Sequence, residues 1–195
     1  MRTLLLIVAF AGLLPAAEEY TYWVQPCPTA TALETRCEAG DPELARWAFE
    51  AWQRESGGAI IVKKIDTEEH ARLRLHWANG NGNLYGETEP VLVDGKRGAN
   101  IYVLPSVAPG ADKILRDAIV YLTCLHESGH ALGLSHTRAF ADIMYSFQYG
   151  GDISAYFGRY RALLKTRADI AAHSGISDAD RVAFRSAISR SALPF

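Results

Sequence analysis

The chain has 195 residues, 49% of them hydrophobic, and its 20 basic side chains nearly balance 22 acidic ones for a formal net charge of −2. That composition excludes the basic signature of a nucleic-acid binder and the low hydrophobicity of a disordered chain, and the length suits one globular domain with its own core. No internal repeat, low-complexity tract or long charge run divides it.

Residues 1–17 stand apart. Arg2 precedes an apolar run from Leu4 to Leu14, and Pro15-Ala16-Ala17 leads into the polar Glu18-Glu19. This is a signal-peptide pattern, because so short a run falls well below the roughly 20 residues a membrane span needs. The chain is therefore expected to be secreted, or periplasmic or in the cell envelope if bacterial, with 18–195 as its mature domain. Export suits a disulfide between Cys27 and Cys37, which bracket a loop holding Pro26, Pro28 and several threonines; about 2 to 3 kcal/mol is expected from closing it. Cys124, in an apolar helical stretch, reads as a small core residue.

Tyr20–Gln25 reads as the first strand from its aromatic and β-branched content. Asp41 is placed to cap a helix with Pro42 at its first position; Leu44, Trp47, Ala48, Ala51 and Trp52 then recur at helical spacing to about Arg54, and Ser56-Gly57-Gly58 stops it. Ile60–Lys64 and Arg72–Trp77 follow as strands, the second alternating so that one face of the sheet is covered. His76, alone on that strand, reads as structural. A turn at 79–82 precedes a short extended piece, Asn83–Thr88, and Gly98–Leu104 is a further strand. Asp112 then caps a long helix whose inner face carries Leu115, Ala118, Ile119, Leu122, Leu125 and Gly129. A glycine there costs about 1 kcal/mol relative to alanine, so something must pack too closely for a methyl group.

That helix runs into His126-Glu-Ser-Gly-His-Ala-Leu-Gly-Leu-Ser-His136, an HExxHxxGxxH pattern. His126 and His130, four apart, leave one helical face together and can share a metal ion. Gly133 can take the left-handed conformation that ends a helix, returning His136 as a third ligand. Three neutral imidazoles suit one catalytic Zn²⁺ with a fourth position open to water, and Glu127 is placed to take that water's proton.

With Met144-Tyr145 eight residues beyond His136, the motif resembles the metzincin metalloproteases, whose metal sits above a turn carrying a methionine. The spacing and the Met-Tyr pair are most similar to the matrixin branch, since Ser146 stands where astacins and serralysins place a tyrosine ligand. The resemblance implies an α+β, zincin-like fold: a twisted mixed sheet of about five strands with an antiparallel edge strand, two long helices on it, and a small C-terminal subdomain with the methionine turn and a final helix. It implies a zinc endopeptidase with Glu127 as general base and acid. A peptide substrate would add itself to the edge strand at Leu84, Tyr85 and Gly86. No nucleic acid, no membrane span and a monomer are expected. No second zinc is expected, because the matrixin structural histidines are missing. A Ca²⁺ loop around Glu87, Glu89 and Asp94 is the weaker reading.

Beyond Tyr145 the pattern departs from the family, with Ser146 and Gln148 where matrixins place proline and an aromatic residue. Residues 150–175 look inserted and should border the pocket beside the scissile bond, with Asp152 capping a helix through Tyr156, Tyr160, Leu163 and Leu164. Ser177 is placed to cap a last helix with Val182, Ala183 and Ile188 on its apolar side. The alternative function is a zinc protein of the cell envelope that binds peptides without cutting them, or cuts only one narrow substrate.

Overall fold

The computed structural model describes residues 16–79, 85–105 and 112–191. The expected signal run and Leu84 therefore lie outside the described residues, as does most of the turn at 79–82. Strands β1 (Glu18–Val24), β2 (Ile60–Lys64), β3 (Leu73–Trp77), β4 (Gly86–Val93) and β5 (Lys96–Val103) form one sheet in the order β2-β1-β3-β5-β4. All neighbours are parallel except β4, which lies antiparallel on β5 at the edge. The period of two decides which face is covered. Tyr20, Tyr22 and Val24 of β1, Leu73, Leu75 and Trp77 of β3, and Ala99, Ile101 and Val103 of β5 are all buried in one cluster.

The edge hairpin is longer than expected. Asp94 and Gly95 both have positive φ, 49° and 74°, and turn β4 directly into β5. Pro90 hides this strand from a sequence reading, since proline argues against a strand interior. The register explains why it is tolerated. Leu104 N–H donates to the Tyr85 carbonyl at 2.8 Å, so Tyr85 faces β5 and the alternate residues Gly86, Thr88 and Pro90 turn their backbone polar groups to the free edge. Proline's missing N–H falls where no partner strand waits among the described residues.

Helices α2 (Asp41–Glu55) and α3 (Lys113–Ala131) cover the apolar face. Trp52 of α2 locks them together, its indole N–H donating to the Leu125 carbonyl at 3.0 Å and lying 3.1 Å from the Ser128 hydroxyl. Asp112 caps α3 as expected, accepting from the Ile114 and Leu115 amides. Asp41 is not the cap of α2; Gly40 holds that position. The Asp41 carboxylate is instead buried and accepts from Arg116 Nη2 at 2.7 Å, tying the start of α2 to α3. Between β1 and α2 the Cys27–Cys37 disulfide, Cα atoms 6.1 Å apart, encloses a short helix, α1 (Thr29–Thr35), where a loop was expected.

The C-terminal part holds α4 (Ile153–Arg161), α5 (Asp169–Ala172) and α6 (Asp178–Ser191). Asp152 caps α4 through the Ala155 amide, and Tyr156, Tyr160 and Leu164 are buried, but the helix ends at Arg161 and Leu163 is 59% exposed. In α6 the apolar side differs from the expected one. Val182 is 71% exposed and Ala183 is exposed, whereas Phe184, Ala187 and Ile188 are buried. Phe184 sets that rotation, with its ring 4.8 Å from Trp52. No helix among the described residues is long and apolar enough to cross a membrane.

Candidate metal centre and its cleft

The C-terminal end of α3 brings the three histidines together. Gly133, at φ 96°, ends the helix; its N–H donates to the His130 carbonyl and the Leu134 N–H to the Gly129 carbonyl, both at 2.9 Å. The chain reverses there and His136 returns toward the helix. The Nε2 atoms of His126, His130 and His136 then lie 3.1 to 3.3 Å from one another. A tetrahedral ion with bonds of about 2.0 to 2.1 Å needs ligand nitrogens about 3.3 Å apart.

The opposite ring nitrogens settle which atoms face inward. His126 Nδ1 lies 2.7 Å from the Ile143 carbonyl and His130 Nδ1 lies 2.9 Å from the Leu134 carbonyl. A carbonyl only accepts, so each Nδ1 carries its proton and each Nε2 presents a lone pair. Lone pairs converging at such distances repel unless a cation sits among them. Burial also lowers the pKa of all three rings, that of His126 to about 4, which keeps them in the neutral form a metal binds. The donor set fits a metal ion. Among the described residues this is the one group of three metal-capable side chains gathered within 4.8 Å. Glu87, Glu89 and Asp94 make no such group, and Asp94 stands 3.4 Å from His70. His76 stacks on Tyr102, its ring centroid 5.3 Å away, and lies 3.4 Å from Glu68.

Glu127 lies in the same cleft, buried under the edge strand. The Thr88 hydroxyl sits 2.7 Å from its Oε2. Desolvation pushes the carboxyl up to about 7, against the lowering effect of Thr88. Gly86 makes the close approach of β4 feasible, since a Cβ there would fall 2.6 Å from Glu127 Cγ. Tyr85 and Gly86 both line the cleft, which has a volume of about 640 Å³.

Met144 is buried and its Sδ lies 2.6 Å from where a Cβ on Gly129 would stand. This is the close packing anticipated from a glycine in a helix interior. Sequence reasoning missed what holds the methionine turn. Asp180, in the first turn of α6, accepts from the Ile143 amide at 2.7 Å and the Met144 amide at 3.3 Å, and Tyr156 donates its hydroxyl to the Asp142 carbonyl at 3.0 Å. The Ser-x-x-Asp spacing at 177–180 was the available signal, because it is a capping box. Its far partner could not be read from it.

No family model matches the chain, and no curated protein matches it.

Proposed function

We infer that the chain is an exported zinc-dependent endopeptidase of metzincin, matrixin-like type. The observation that carries this is the convergence of three Nε2 atoms, two of them left proton-free by the carbonyl bonds at Nδ1, beside the buried Glu127 carboxyl in an open cleft. His126, His130 and His136 would hold the ion. Bound by three imidazoles, zinc supplies a Lewis acid and a water acidic enough to lose its proton near neutral pH.

The rest falls to this chain's own residues. Glu127 accepts a proton on its carboxylate and later returns one to the leaving amine, so one group serves as base and then as acid. Thr88 fixes that carboxylate through Oε2. The outward main-chain groups of Gly86 and Thr88 offer an extended peptide a short ladder, which lays its scissile bond beside the triad. The disulfide suits the oxidising compartment that export would reach.

The test is proteolysis of an unfolded protein by the mature chain, analysed by mass spectrometry, with Glu127→Ala in parallel and the zinc content of each determined. One zinc in both and cleavage by wild type alone supports the reading. Zinc in both and cleavage by neither removes the peptidase and leaves a zinc-dependent binding protein. Full zinc in His130→Ala overturns the ligand set.

A further inference from the structure

Two aromatic rings from different segments meet within the cleft lining. Tyr85 stands just before β4 and Phe157 sits within α4; both line the cleft. Their rings meet edge to face with centroids 5.4 Å apart. Neither ring hangs loosely. Phe157 is buried against Tyr156 and Phe147, with centroids 5.3 and 6.2 Å away, and Tyr85 is tied to the end of β5 through its carbonyl. The helix supplying Phe157 is itself fastened to the methionine turn by the Tyr156 hydroxyl.

The register then measures the room left. Gly86 lies against Glu127, and Tyr85 is the very next residue. An extended chain pairing with β4 advances about 3.3 Å per residue, so it reaches the Tyr85–Phe157 contact almost at once.

We propose that the Tyr85–Phe157 pair ends the substrate groove, so that a peptide lying along β4 extends only roughly one or two residues past the triad on that side. This rests on the zinc peptidase reading and narrows its substrate class to chains with a short tail beyond the cleaved bond. The segment 150–175 is thereby a specificity element, and Phe157 is the residue through which it acts. The opposite direction, toward exposed Arg97 on the cleft lining, carries no such closure among the described residues.

The experiment uses the mature chain, Phe157→Leu and Tyr85→Ala. Each is given a set of otherwise identical peptides lengthened one residue at a time on either side of the cleaved bond. Wild type should lose tenfold or more in kcat/KM when the tail on one side passes two residues, and both variants should lose the step. The second readout needs no turnover: the cobalt-substituted proteins are titrated with acetohydroxamate and with a peptidyl hydroxamate carrying a four-residue tail, following the visible absorption of the metal. All three proteins should bind acetohydroxamate alike, and the variants should bind the long probe at least tenfold more tightly than wild type. Equal binding of the long probe by all three, or a length step that persists in both variants, overturns the proposal. Should no protein cut any peptide while the long probe still separates variants from wild type, the peptidase reading fails and the closed groove stands. A chain that takes up no cobalt overturns both.

Discussion

A Cβ on Gly86 would fall 2.6 Å from Cγ of Glu127 and 2.8 Å from its Oε1, so the edge strand rests directly on the carboxylate that the cleavage reading uses. Gly86→Ala should therefore displace either the strand or the acid. A shift of about 1 Å in such a group can cost on the order of 10²-fold in rate. The expected result is a large fall in kcat with metal content unchanged, measured by steady-state kinetics beside zinc analysis. Activity at the wild-type level would mean that the strand gives way freely.

Gly129 and Met144 set up a second test. Alanine at 129 gains about 1 kcal/mol of helix propensity but forces a methyl group onto the methionine sulfur and, at 3.1 Å, onto Trp52. Overpacking of that kind typically costs about 1 to 3 kcal/mol, so Gly129→Ala should be destabilised overall. Met144→Ala should partly relieve it, and a double-mutant cycle in urea should show positive coupling between the two sites. Simple additivity would place the strain elsewhere.

Asp180 reaches the candidate metal site at one remove. Its carboxylate holds the Ile143 amide, and the Ile143 carbonyl orients His126. Asp180→Ala leaves at least two buried donors unpaired, a loss of about 2 to 4 kcal/mol. It should also weaken metal binding by roughly 10- to 100-fold, the range found when groups orienting a ligand are removed. Competition with a chelator below the unfolding transition separates the two effects.

The disulfide should act on stability alone. Replacing Cys27 and Cys37 with serine is expected to cost about 2 to 3 kcal/mol in urea unfolding, and reductant should reproduce the shift in wild type only. Metal uptake at low temperature should stay as it was, because the bridge borders α1 rather than the triad.

What could be read in advance was local. The triad spacing, the turn at Gly133, the crowding at Gly129, the disulfide and the caps at Asp112 and Ser177 each depend on residues a few positions apart, or on one side chain's intrinsic preference. The rest depends on neighbours distant in sequence. Asp41 resembles a helix cap, yet the buried Arg116 of another helix takes its carboxylate. Val182 fits an apolar stripe until Phe184 docks on Trp52 and rotates the helix. Thr88, Asp180 and the meeting of Tyr85 with Phe157 carry no pattern in their own segments. Pro90 concealed a strand because its harmlessness depends on a free edge.

That same proline governs how the protein meets copies of itself. An edge strand with no outer partner among the described residues, and with outward amides at Gly86 and Thr88, would invite a second chain to zip onto it, the usual route from a sheet edge to a fibril. Pro90 interrupts the row of donors, and the charged, exposed Glu87 and Glu89 alternate with it along the same strand. Two like-charged edges would repel before they could pair. On the proposed reading a guest chain would take the short ladder, while the proline and the like charges disfavour growth of a long intermolecular sheet from the same edge.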